Sequence, residues 1–156
     1  MSNAAATLVG QNLGAQKPNR AEASVWKTGK YSAIFMGFVS IVYLIFAPQI
    51  ISWFTQEPEV IIHGSLCLRI IAAGYVFYGY GMVIINAFNG AGDTKTPTWI
   101  NFICFWLFQL PLAYITALTL DIGPLGVFIA ITLAEVLITI LGLIWFKKGH
   151  WKTTQV

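Results

Sequence analysis

Charge is scarce in this chain. Lys and Arg number 9, Asp and Glu 6, and together they make up 10% of the 156 residues, against about 25% in an ordinary soluble protein. The hydrophobic share is 57% and the mean hydropathy +0.72. One soluble core of this size cannot hide that much apolar surface, so the solvent the sequence suits is lipid. Histidine and cysteine are scarce too, at 2 each. Cys67 and Cys104 lie inside apolar runs, which fits neither a metal cluster nor a secreted disulfide framework. His63 and His150 are expected at opposite membrane faces and so in no common site. With no Ser/His/Asp set and no phosphate loop after a strand, the pattern speaks against an enzyme and calls for no cofactor. A net charge of +3, spread beside membrane spans, also speaks against a nucleic-acid partner.

What is present is length without polarity. Four apolar runs reach the roughly 20 residues a bilayer crossing takes: 31–54, 61–88, 97–120 and 123–146. In hydrocarbon each must satisfy its own backbone, so each is expected to be a helix. The fold class is therefore all-α integral membrane. The few charges alternate between the runs. Lys17, Arg20, Lys27 and Lys30 precede the first; Glu57 and Glu59 separate the first from the second; Lys95 follows the second; Asp121 follows the third; Lys147, Lys148 and Lys152 follow the fourth. Since Lys and Arg gather on the cytoplasmic side, every connection points the same way, with the tail 147–156 inside. Trp26, Trp53, Trp99, Trp145 and Trp151 lie near run ends, where indoles anchor at the interface; Trp106 does not. The lysines after the last run also suit anionic lipid headgroups.

The breaks between runs carry turn chemistry. Near the start, Gly14 reads as a helix stop, followed by Pro18 and an Asn19 to Glu22 capping box that opens the next helix. Residues 1–15 are too few to cross a membrane, so they read as the tail of a truncated fifth span. Between the second and third runs stands NGAGDTKTP, Asn89 to Pro97. Gly90 is expected to end one helix in the left-handed conformation, Thr96 to cap the next, and Pro97 to open it, with Asp93 near its positive end. Pro48 and Pro111 are expected to kink the first and third spans. Gly126, Ala130 and Ala134 make a small-residue ridge on the fourth.

A charged group at mid-span is costly and needs a reason. Glu135 lies near the middle of the fourth run, on one stripe with Thr132, Thr139 and Gly142. It is either a proton or cation site or a structural carboxyl. Arg69 in the second run either snorkels outward or forms a structural ion pair with Glu135. Tyr75, Tyr78, Gly79, Met82, Asn86 and Asn89 share one face of the second run. Phenols, amides and a thioether suit an aromatic cation, and equally suit hydrogen bonds between helices. Asn101 and Gln109 read as interhelical contacts.

Two of these stretches also carry a family resemblance. NGAGDTKTP, with Trp99-Ile100-Asn101 after it and LPLAY at Leu110–Tyr114, resembles the second-lobe motif of multidrug and toxic compound extrusion transporters. LVGQNLGAQKPNRAEA at Leu8–Ala23 resembles the matching turn two helices earlier, and GPLGVFIAI at Gly123–Ile131 also fits. The resemblance implies part of one six-helix lobe of a twelve-helix transporter, from the end of the eighth helix through the twelfth. It implies cation-coupled antiport, by H+ or Na+, of small amphipathic compounds across a bacterial inner membrane by alternating access. The partners would be membrane lipids and the remaining N-terminal part of the same transporter. Gly10, Gln11, Asn12 and Gly14 in one turn, and Gly90, Gly92, Asp93, Thr94 and Pro97 in the other, would then sit at the cytoplasmic rim where the family closes its inner gate. Some members carry a coupling carboxylate on the tenth helix, but the second run here has no Asp or Glu, so the resemblance locates no sodium site there. Other readings are a lipid-linked saccharide flippase of the same superfamily, a small four-helix exporter working as a dimer, and a membrane scaffold.

Overall fold

The computed structural model describes residues 1–153; residues 154–156 of the expected tail lie outside the described residues. It is a helical bundle. Helix α1 is Ser2–Gly14, α2 Pro18–Ser52, α3 Pro58–Ala73 and α4 Tyr75–Gly90. Helix α5 is Lys95–Thr119 and α6 Pro124–Lys148. A short 3-10 turn, His150–Thr153, follows. By length and composition α2, α5 and α6 can each cross a membrane, and α3 with α4 form a fourth crossing broken by a 51° bend. The all-α membrane architecture expected from hydropathy is thus present, with its second span broken.

Several local expectations need correction. The first span begins thirteen residues earlier than its apolar run, because α2 continues through the charged foot from Pro18. There is no Asn19 capping box: both Asn19 and Glu22 lie inside α2, and Lys17 precedes the helix. Pro48 sits within an α2 that runs on past it to Ser52. Pro111 follows a stretch wound wider than an α-helix, Phe102–Gln109, and a second such stretch spans Ile115–Thr119. The missing proline N–H is accommodated where the helix already changes its winding. The sharp bend lies in the proline-free interior of the second span, at Gly74.

The two glycine turns have one design. Each ends its helix in a Schellman arrangement. After α1, the Gln16 N–H donates to the Leu13 carbonyl and the Lys17 N–H to Asn12, both at 2.8 Å. After α4, the Gly92 N–H donates to Asn89 at 3.1 Å and the Asp93 N–H to Phe88 at 3.0 Å. The left-handed residue is Gln16 in the first turn and Gly92 in the second, at φ 58 and 78; Gly14 and Gly90 are each the last helical residue instead. The cap of α5 comes from Asp93, whose carboxylate accepts from the Thr96 N–H at 3.1 Å and from the Thr96 hydroxyl at 2.6 Å. Pro97 is accordingly the third residue of α5 rather than its first.

The core sits at the end of the bundle that holds these turns. Gly10 and Gly90 let α1 and α4 cross closely: a Cβ on Gly90 would lie 2.6 Å from the Ala6 Cα, and one on Gly10 3.1 Å from the Gly90 carbonyl. Phe146 at the end of α6 is the hub. Trp26 meets it edge-on at 5.4 Å, Phe88 edge-on at 5.9 Å, and Trp151 stacks on it at 4.6 Å. Gly149, at φ 77, turns the chain back so that this stack can form. Lys152 then pairs with Glu22 on α2, which also accepts from the Trp26 indole N–H at 3.1 Å. Lys152 is therefore held by protein, not left for headgroups alone. The small-residue ridge on α6 packs as expected: Ala130 and Ala134 are buried, and a Cβ on Gly126 would lie 2.7 Å from the Ala117 backbone nitrogen on α5.

Candidate functional site

Helix formation in the second span fails at one residue. Glycine costs about 1 kcal/mol in a helix interior relative to alanine, and here a neighbour exploits it. Thr132 of α6 presses on Gly74 so closely that a Cβ there would lie 2.9 Å from its Cγ2. A side chain entering the hydrogen-bond ladder is a recognised cause of a bend. The Gly74 N–H bonds to the Ile71 carbonyl at 3.0 Å, three residues back instead of four. The Ile70 carbonyl thereby loses its helical donor and accepts from the Thr132 hydroxyl at 3.1 Å. The Ala72 carbonyl accepts from Ser40 of α2 at 2.7 Å.

Beside this bend lies a cavity of about 450 Å³, lined by Phe35, Met36, Val39 and Tyr43 of α2, by Ile71, Gly74, Tyr75 and Tyr78 around the break, and by Ile131, Thr132 and Glu135 of α6. Three of the residues singled out by sequence, Tyr75, Tyr78 and Glu135, thus come together. Met82 lines an adjoining space of about 370 Å³ with Tyr78 and Met36. Asn86 does not join them: its amide donates to the Met82 carbonyl one turn back, at 2.9 Å. Arg69 is not ion-paired with Glu135. It is exposed, and its Nε–H donates to the Leu44 carbonyl of α2 at 3.0 Å. The turn residues Gly10, Gln11, Asn12, Gly14, Gly90, Gly92, Asp93, Thr94 and Pro97 lie together at the packed end, away from the cavity lining.

Chemically, the cavity offers one carboxyl group and three phenols. Tyr43 and Tyr75 approach at 5.7 Å between ring centres, tilted by 58°. Among the described residues no donor is hydrogen-bonded to the Glu135 carboxylate, while its backbone carbonyl accepts from Thr139 at 3.0 Å. Such a lining attracts a cation through ring faces and one negative charge. Among the described residues no group of three His, Cys, Asp or Glu gathers.

Sequence reasoning missed the α2 wall. Ser32, Met36, Ser40 and Tyr43 follow one another at three- and four-residue spacing, the pattern of one helix face, and that stripe was the available signal. It also assigned the interhelical hydrogen bonds to the wrong residues. Asn101 and Gln109 make no side-chain hydrogen bond among the described residues. Ser32, Ser40, Thr132 and Thr139 make the contacts between helices instead.

This is an integral membrane protein of all-α class, with a broken span and a cavity beside the break. Residues 1–115 match the family described as MatE, and the chain belongs to that family. It is 28% identical to the probable multidrug resistance protein NorM of Thermotoga maritima over 100% of its own length and 34% of that protein. It is 32% identical to the probable multidrug resistance protein NorM of Mannheimia succiniciproducens, over 84% of this chain and 30% of the other. Protein DETOXIFICATION 29 of Arabidopsis thaliana is 27% identical over 98% of this chain and 31% of its own. The chain thus spans about a third of the length of the curated relatives it matches. A solved inward-facing multidrug resistance MATE family transporter of the MOP superfamily superposes with a TM-score of 0.87 at 21% identity, covering 99% of this chain and 36% of that one.

Proposed function

We propose that the protein carrying this chain is a secondary active exporter, and that this segment supplies most of one lobe and one wall of its substrate cavity. The observation that carries the reading is the meeting of Glu135 with Tyr43, Tyr75 and Tyr78 in one cavity of about 450 Å³. The cavity lies inside a bundle whose outer surface is apolar. A carboxyl in that setting alternates between two occupants, a small cation (H+ or Na+) and an amphipathic cationic guest whose ring or alkyl parts lie on the phenols. Competition for one negative charge is the simplest form of exchange: inward movement of the small cation discharges the guest.

The clustered Lys and Arg at the packed end orient that end to the cytoplasm, with the tail on the cytoplasmic side of a bacterial inner membrane. The working partners are lipids and the remaining part of the same transporter. The test is dye efflux by the complete gene product in cells lacking their own pumps. Ethidium accumulation should fall when the protein is expressed and recover when the driving gradient is collapsed. A protonophore acting alone would assign H+; a requirement for external sodium would assign Na+. Accumulation equal to that of cells without the protein would contradict the reading.

A further inference from the structure

The bend at Gly74 is held from two sides by two pairs of hydroxyl groups, and the pairs differ in kind. The outer pair, Ser40 on α2 and Thr132 on α6, donates to the Ala72 and Ile70 carbonyls at 2.7 and 3.1 Å. These belong to the last turn of α3, whose carbonyls have no donor within their own helix. The inner pair, Ser32 on α2 and Thr139 on α6, donates to Gly79 and Phe77 at 3.0 and 2.8 Å. Those carbonyls lie in the body of α4, where the helix supplies its own donors.

In a straight span the Ile70 and Ala72 carbonyls would be bonded by the N–H groups four residues on. In the bent span the Ile70 carbonyl is left to Thr132, and the Ala72 carbonyl takes Ser40 beside a backbone N–H of the cap. An apolar bilayer interior offers no water to take their place. We propose that the span 58–90 is a two-state hinge, and that Ser40 and Thr132 are the positioning residues that keep it bent. The hinge also governs the cavity, because Ile71 from before the break and Tyr75 and Tyr78 from after it line the same space. The proposal concerns the shape of a helix and does not depend on what the cavity binds.

The test is a distance measurement on the complete protein in lipid nanodiscs. Spin labels at Ile62→Cys and Asn89→Cys, both exposed positions near the ends of the span, are read by pulsed dipolar spectroscopy in a cysteine-free background. Straightening a 51° bend lengthens that separation by roughly 4 Å, given a rise of about 1.5 Å per residue. Ser40→Ala combined with Thr132→Val should shift the distribution to the longer distance. Ser32→Ala combined with Thr139→Val should leave it where the unmodified protein has it, and Thr132→Ser should do the same because it keeps the donor. Gly74→Ala retains every hydroxyl but sets a methyl against Thr132, and it should lengthen the distance by a separate route. This variant decides the matter if the outer double variant does not fold. An unchanged distance in the outer double variant or in Gly74→Ala, or equal lengthening by the inner pair, would overturn the hinge.

Discussion

At the end of the bundle where both glycine turns lie, Trp151 is 0% exposed and stacked on Phe146. At the opposite end Trp53 and Phe54 are 80% and 83% exposed. Hydropathy does not separate these ends, since both are rich in aromatic residues. What separates them is backbone approach. The packed end has glycines where helices cross and a chain reversal that returns an indole to the core. The open end has loops whose aromatic rings face outward. One end is therefore closely packed and the other open, and the bend at Gly74 lies between them.

Removing an indole from each end tests this difference most strongly. Trp151→Ala empties a stacked, fully buried site, and large-to-small changes of that kind cost about 3–5 kcal/mol. The expected outcome is loss of most folded complete protein, read by fluorescence-detected size exclusion after a heat step. Gly90→Ala comes next. Its methyl would collide with the Ala6 backbone, and overpacking costs about 1–3 kcal/mol, so the melting midpoint should fall clearly while expression persists.

The two turns then offer a pair of opposite sign. Gly92→Ala places a side chain in the left-handed region, at a cost of about 1 kcal/mol, whereas Gln16→Gly relieves a strain of similar size. The first should lower and the second raise the same midpoint. Trp53→Ala at the open end is the smallest change, within about 0.5 kcal/mol. A drop matching that of Trp151→Ala would mean the open end is packed as tightly as the other.

Much of this molecule is legible in its residues. The four crossings follow from hydropathy, because a bilayer demands about 20 apolar residues and hydrogen-bonded helices. The ends of α1 and α4 follow from the glycines, although the left-handed positions fall two residues later, at Gln16 and Gly92. The break in the second span was not legible: Gly74 carries no proline beside it, and the bend depends on Thr132, which lies 58 residues further along the chain. Glu135, Tyr75 and Tyr78 stand out as polar groups in apolar runs, while Tyr43 and Met36 enter only through the way α2 packs against the break. Arg69 and Glu135 are both charged and invite pairing, but a backbone carbonyl on α2 holds the guanidinium.

The most direct test of the functional account is Glu135→Gln in the complete protein, with ethidium efflux and membrane abundance measured in the same cells. The substitution keeps the shape and removes the charge. Efflux should fall to the level of cells without the protein, at unchanged abundance. Efflux equal to that of the unmodified protein would contradict it and remove Glu135 from the mechanism.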